Sequence, residues 1–298
     1  MTRISTRNFS LSAWILATRP KTLFVGIAPV ILGSSLAFSQ NAFQTLPAFY
    51  CLLFALLVQI GCNYANDYFD FVKGVDNENR VGFKRAVASG LISKEAMRLG
   101  MCIVLVLAFC VGLNLVKYGG MSLLIVGIIS ICCAVLYTGG PFPLGYYGLG
   151  DLFVFVFFGL VAVMFTYFVQ VGSFSLDSFW IAVACGVLAV NVRLVNDTRD
   201  RETDSQAGKK TMAVRLGLKY CYTHYILNLS VALSIPLVLK LQGYSWAVLL
   251  PWLTTPAILV LAVKFIQAQS GSDYNRHLFL TSQYMLLYTI LLSIGIVL

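Results

Sequence analysis

Residues 66–70 read Asn-Asp-Tyr-Phe-Asp, and residues 196–204 read Asn-Asp-Thr-Arg-Asp-Arg-Glu-Thr-Asp. Both open on Asn-Asp-x-x-Asp, and each ends an almost entirely apolar run. On a continuing helix Asn196, Asp200 and Asp204 form one polar stripe, and Asn63, Asp67 and Asp70 share a face. Oxygen-bearing side chains in such a stripe, beside Arg199, Lys209 and Lys210, suit a divalent cation and a phosphate held together. Carboxylates crowded at a membrane boundary repel one another unless a cation neutralises them. Magnesium commonly binds in this way, through a few carboxylates and the phosphates of a substrate. Asp67, Asp70, Asp200 and Asp204 are therefore the first candidates for chemistry.

Further candidates surround the two motifs. Lys73, Arg80 and Arg85 follow the first one. Arg193 lies one turn before Asn196 inside an apolar run, where an unpaired charge costs ~2.5–3.5 kcal/mol or more. It either snorkels to the interface or binds a diphosphate or carboxylate. Asp151 follows a glycine-rich stretch; it is a helix N-cap or a contact to a substrate hydroxyl or water. Lys21, in Arg19-Pro20-Lys21-Thr22, is an interface cation or a phosphate contact. Tyr137, with Tyr64, Tyr68 and Phe69, could line a pocket and stabilise a cation through its ring face. The eight cysteines form no Cys-x-x-Cys pair, and His224 and His277 have no ligand spacing, so neither residue type indicates a metal site.

Positioning these residues is the work of an all-α membrane bundle. Of 298 residues, 59% are hydrophobic and 11% charged, a composition that excludes a soluble domain. Span-length apolar windows occur at 21–39, 47–66, 99–116, 120–137, 150–171, 178–195, 220–240, 244–266 and 278–298. These predict nine transmembrane helices in a single domain covering 1–298. The polar connections that carry the motifs fall at about 63–98 and 193–219. Four helices separate one motif from the other, the spacing of an internal four-helix repeat with one helix added.

With the N-terminus inside, nineteen of the twenty-one basic residues fall on one side, Arg3, Arg7, Arg80 and Lys84 among them. That asymmetry predicts a cytoplasmic N-terminus and active site and an external C-terminus. Eleven of twelve acidic residues lie on the same side, all but Asp177, although orientation does not require them. Arg3 and Arg7 are not followed by the short apolar core and cleavage site of a removable signal, so the first span is expected to stay in the membrane.

Nine spans with two Asp-rich motifs resemble the UbiA superfamily of intramembrane aromatic prenyltransferases, over essentially the whole chain. Its motif Asn-Asp-x-x-Asp-x-x-x-Asp is matched in full by Asn196, Asp197, Asp200 and Asp204. The first motif departs from it, with Gly74 where the last aspartate is expected and Asp76 two residues later. That variant is similar to the menaquinone branch, which acts on 1,4-dihydroxy-2-naphthoate. Arg19 to Leu23, Gly145 to Asp151, Gly208 to Thr211 and Val214 to Gly217 are similar to the same branch. The resemblance implies that Asn66, Asp70, Asp76, Asn196, Asp200 and Asp204 hold Mg2+ bridging a polyprenyl diphosphate, and that Lys73, Arg85, Arg199 and Lys209 neutralise the diphosphate. It further implies decarboxylating prenylation of the aromatic quinone precursor to give demethylmenaquinone, at the inner membrane of a bacterium. The partners expected are that diphosphate, the aromatic acceptor and the lipid bilayer, with no nucleic acid. Two alternatives stay open, another aromatic acceptor such as 4-hydroxybenzoate or homogentisate and, more distantly, a secondary transporter. Carboxylates gathered at helix ends on one side, rather than at the bilayer midplane, favour the enzyme.

Overall fold

The computed structural model describes residues 10–76, 82 and 85–298; Arg3, Arg7, Arg80 and Lys84 lie outside them. Among the described residues every regular element is helical. A short helix α1 (Leu11–Thr18) is capped by the Ser10 hydroxyl and stopped by Arg19 at φ +56°. It meets α2 (Phe24–Ser39) at a bend of 53°. Then follow α3 (Thr45–Val72), α4 (Lys94–Leu136), α5 (Gly150–Val171), α6 (Leu176–Arg199), the short α7 (Arg201–Gln206), α8 (Met212–Leu241), α9 (Trp246–Gln267) and α10 (Gly271–Val297).

Seven of these helices are long and apolar enough to cross a bilayer, or eight when α1 and α2 count as one broken span. The sequence predicts nine because windows 99–116 and 120–137 are separate there, whereas the structure joins them in the 43-residue α4. A straight helix of that length would reach about 65 Å, twice the hydrocarbon thickness. It does not run straight. Gly120, at φ +66° and ψ −158°, interrupts it, a conformation open to glycine at little cost. Gly112 before the break and Gly127 after it both face the ring of Phe54. In a straight helix those two would stand about 22 Å apart, so the chain folds back at Gly120.

Helix α6 is the centre. Within its most apolar stretch 72% of residues are buried, against 22% for α3 and α4, which explains why the run Trp180 to Val195 is apolar on nearly every face, Asn191 and Arg193 excepted. Glycine lets its backbone meet that of α5: a Cβ on Gly159 would stand 2.6 Å from the Ala182 carbonyl. Such small-residue contacts drive helix association where lipid removes the hydrophobic gradient. Beside this crossing, α5 widens to a π-helix over Phe155–Val161. Both α3 and α6 carry a motif at the same kind of end, and α3, twenty-eight residues long, carries its own in its last two turns.

Candidate active site

Each motif is closed by the same backbone device. Helix α3 stops at Gly74, φ +71°, with Gly74 N–H donating to Phe71 O and Val75 N–H to Asp70 O. Helix α7 stops at Gly208, φ +73°, with Gly208 N–H donating to Ser205 O and Lys209 N–H to Asp204 O. Both are paired-bond C-terminal motifs that need a left-handed residue. The glycine that breaks the first motif's aspartate pattern is thus its helix stop. By this geometry Asp70 corresponds to Asp204, each four residues before its glycine.

The two ends converge. Lys209 Nζ lies 3.6 Å from Asp70 Oδ1 and 3.4 Å from Asp204 Oδ1, so one ammonium spans both motifs. Asp70 Oδ1 also accepts from Tyr146 Oη at 2.5 Å, and Asp70 Oδ2 lies 3.4 Å from Arg85 Nη2. Arg85 Nε is 3.3 Å from Asp76 Oδ2. Arg199 takes both oxygens of Asp200 at 2.7 Å, and donates to Asn196 Oδ1 and Asn275 Oδ1 at the same distance. Asn66 Oδ1 accepts from the Thr138 hydroxyl at 2.8 Å. Lys73 Nζ donates to Thr138 O at 2.6 Å, and it lies 4.9 Å from the Tyr146 ring centroid, with Lys209 Nζ at 4.6 Å.

Burial sets the electrostatics. It raises the Asp204 carboxyl above the usual carboxylate range, against the pull of Lys209. It raises the Tyr146 phenol too, reinforced by the Asp70 charge that accepts its proton. Burial pushes the Tyr137 hydroxyl up to about 12. The Lys73 ammonium is lowered by partial burial and by Lys209, while Asp70 works in the opposite sense.

A second cluster stands one turn deeper. Arg193 pairs with Asp197 at 2.6 Å and with Asp151, and its Nε donates to the Tyr137 hydroxyl at 2.5 Å. Arg193 therefore does not snorkel; two carboxylates hold it in place. Gly150 makes room for it, since a Cβ there would overlap the guanidinium. Asp151 is no helix cap, because α5 starts after Leu149 without a side-chain cap.

These residues stand around one cavity of about 470 Å³, whose remaining walls are mostly apolar. Of the residues singled out by sequence, Asn66, Asp67, Asp70, Arg85, Tyr137, Arg193, Asn196, Arg199, Asp200, Asp204, Lys209 and Lys21 line it. Lys73, Asp76 and Asp151 sit one layer behind, acting through Thr138, Arg85 and Arg193. Asp67 accepts the backbone N–H of Ala86 and Val87 at 3.0 and 3.1 Å, fastening the chain that carries Arg85. Asn63 donates to Thr18 O and fixes the α1 turn. Tyr64 packs edge-on against Trp14, and Tyr68 against Phe69, outside the cavity lining. Tyr146, Asn275 and His224, whose Nδ1 is 3.9 Å from Asp151, enter from elements that sequence spacing leaves unconnected. Among the described residues no three His, Cys, Asp or Glu side chains converge closely enough to cage a metal unaided. The oxygens of Asn66, Asp70, Asn196, Asp200 and Asp204 could hold a hard cation that also takes ligands from a substrate.

An all-helical membrane protein with carboxylates and cations on the wall of an otherwise apolar cavity could take an amphiphile with an anionic head. The chain belongs to the UbiA prenyltransferase family, whose model matches residues 26–288. It is 36% identical over 298 residues to the 1,4-dihydroxy-2-naphthoate octaprenyltransferase of Haemophilus influenzae, covering 97% of both chains. To the Escherichia coli enzyme of the same name it is 41% identical over 211 residues, 69% of this chain and 68% of that one. Its fold matches a UbiA homolog from Archaeoglobus fulgidus, bound to GPP and Mg2+, with a TM-score of 0.65 at 15% identity, covering 94% of this chain and 99% of that one.

Proposed function

We propose that this prenyltransferase transfers a polyprenyl group from its diphosphate to 1,4-dihydroxy-2-naphthoate, with loss of the acceptor's carboxylate. The observation that carries the reading is the meeting of Asp70, Asp204 and Lys209 on the wall of the cavity. One cation already stands between the two carboxylates, so the site accepts positive charge there. The donor set is oxygen-rich and too sparse for a protein-only cage, which fits Mg2+ completed by diphosphate oxygens. Asn66, Asp70, Asn196, Asp200 and Asp204 would hold it, with Asp76 acting through Arg85. Bound there, Mg2+ supplies charge stabilisation of the leaving diphosphate. The fold relative bound to GPP and Mg2+ and the relatives named for the naphthoate acceptor support both substrates.

Lys209, Arg85 and Arg199 offer further positive charge to the diphosphate, and Lys73 and Lys21 add to the field around it. As the allylic carbon–oxygen bond breaks, its electron pair leaves with the diphosphate. Phe153, Phe157 and Phe158 line the neighbouring wall; their ring faces stabilise the allylic cation and keep water from it. Arg193 and Tyr137 face the cavity and orient the acceptor, with Asp151 and Asp197 holding Arg193 in position. The ring attacks through the electron-rich carbon that bears the carboxylate, the carboxylate leaves as carbon dioxide, and the carbon–carbon bonding pair it leaves behind restores aromaticity. The immediate product is the quinol of demethylmenaquinone. The charge asymmetry of the loops supports an active site and N-terminus on the cytoplasmic side and an external C-terminus, and the bacterial relatives support an inner membrane.

Magnesium-dependent prenylation in liposomes tests this, with wild type beside Asp70→Ala and Asp200→Ala and with 4-hydroxybenzoate and homogentisate as rival acceptors. The naphthoate product is expected from wild type alone. Turnover surviving in both variants overturns the two-motif site, and product only from a rival ring overturns the acceptor.

A further inference from the structure

The Tyr137 oxygen accepts a hydrogen bond from Arg193 Nε at 2.5 Å. A phenol has a single O–H to donate, and among the described residues that of Tyr137 meets no acceptor. Both Tyr137 and Arg193 line the cavity. Thr138, the next residue, donates to Asn66 of the first motif, while Arg193 precedes Asn196 of the second by one turn. The Tyr137 ring therefore spans from one motif to the other, and its hydroxyl stands one turn deeper than the carboxylates. An aromatic acceptor beside the allylic end of a diphosphate held at those carboxylates would lie at this depth.

Arg193 has no positive charge left over for such an acceptor. Its guanidinium lies between Asp151 and Asp197, which together balance it. What the cluster presents to the cavity is a neutral donor, the Tyr137 O–H. Burial pushes that phenol up to about 12, so it keeps its proton and serves as a donor rather than a base.

We propose that the Tyr137 hydroxyl is catalytic in the loss of carbon dioxide, donating a hydrogen bond to the acceptor's ring oxygen next to the carbon that bears the carboxylate. The proposal rests on the decarboxylating reaction above and assigns a residue to its second half. When that carbon takes the allylic group, the neighbouring C–OH becomes a ketone and its proton passes to the adjacent carboxylate. When the carbon–carboxylate bond then breaks, its electron pair moves into the ring, the ketone oxygen regains the proton, and carbon dioxide leaves. Negative charge builds on that oxygen as the bond breaks. A fixed donor aimed at it stabilises this transition state more than the state before it. Tyr137 gives up no proton. Arg193 is a positioning residue, since it holds the Tyr137 oxygen while Asp151 and Asp197 hold it.

The test is the heavy-carbon isotope effect at the acceptor's carboxylate, measured in liposomes with octaprenyl diphosphate, 1,4-dihydroxy-2-naphthoate and Mg2+ for wild type and Tyr137→Phe. The variant is expected to lower kcat roughly 100-fold, the cost of removing one such donor. The isotope effect should rise, because carbon–carbon cleavage becomes the slow step. An unchanged KM for the diphosphate reports that the variant is folded. In a single turnover, quenching should reveal the prenylated keto acid ahead of carbon dioxide in the variant and not in wild type. Full kcat in Tyr137→Phe, a slower variant with an unchanged isotope effect, or a loss confined to the KM for the diphosphate overturns the role of Tyr137 and leaves the reaction intact. Wild type that transfers no prenyl group with release of carbon dioxide overturns the reaction and the role together.

Discussion

The Tyr146 hydroxyl donates to Asp70 Oδ1 at 2.5 Å, and this bond joins the loop after α4 to the first motif. The same loop receives the second motif, since Lys210 N–H donates to Tyr146 O at 2.7 Å. Tyr146 thus orients a candidate metal ligand while its ring lies beside Lys73 and Lys209. Tyr146→Phe keeps the ring and removes the donor. Loss of a group that orients a ligand typically costs 10–100-fold in metal affinity or activity. The Mg2+ concentration for half-maximal rate is therefore expected to rise by roughly that factor, measured by magnesium titration at saturating donor. An unchanged midpoint would remove Tyr146 from the site's support.

Lys73 carries the pH dependence that is easiest to isolate. Partial burial and the neighbouring Lys209 hold its ammonium below the ordinary lysine value, against the pull of Asp70. Its charge is lost at lower pH than that of a free lysine. Donor affinity should therefore weaken on the alkaline side earlier than an ordinary lysine would produce. Because the unfolded chain keeps this proton to higher pH, the group's own contribution to stability rises with pH across that window. Lys73→Arg keeps the charge at every accessible pH, so the alkaline limb of kcat/KM should move upward. A limb that stays in place assigns it to another group.

Arg193 is fixed from three sides, by Asp151, Asp197 and the Tyr137 hydroxyl. Removing its charge leaves two buried carboxylates without their counter-ion, a loss of about 3–5 kcal/mol. Arg193→Leu is expected to lower the thermal midpoint in detergent sharply. Gly150→Ala should cost about 1–3 kcal/mol through overpacking against the guanidinium, and its rate loss should exceed its stability loss because Arg193 is displaced from the cavity wall. A Gly150→Ala enzyme with full activity would show that the guanidinium position is not critical.

The helical character, the membrane and both motifs are legible in the sequence because each follows from local pattern. Apolar run length marks the spans, and Asn-Asp-x-x-Asp with its flanking lysines marks the helix ends. The break within α4 is legible too, since Gly119-Gly120 reads as a tight turn between neighbouring helices and the chain turns back at Gly120. The site's supporting layer is hardest to read. Nothing in the spacing of Tyr146, Asn275 or Thr138 points to Asp70, Arg199 or Asn66, because those bonds depend on how distant helices cross. The same limit explains why Asp151 reads in sequence as a helix cap or a contact to a substrate hydroxyl or water, and in the structure holds Arg193.

Gly208 offers a test of whether backbone shape alone holds the two motifs together. It sits at φ +73°, and no atom lies within 4 Å of where its Cβ would stand. Substitution there meets no clash, so any effect comes from the left-handed conformation. That conformation costs an ordinary residue about 1–2 kcal/mol, and asparagine, which tolerates it, less. The cost falls where Lys209 turns back toward Asp70 and Asp204. Gly208→Ala is expected to raise the KM for the prenyl diphosphate by several-fold, roughly 5–30-fold if the whole strain is released by local opening, and Gly208→Asn by less. Gly74→Ala removes the matching stop on the first motif, also without a clash, and should act in the same direction by loosening Asp76 from Arg85. Steady-state kinetics on the three variants reads the order directly. If alanine and asparagine at 208 were equally harmless, the left-handed turn would not be what brings Lys209 between the two carboxylates.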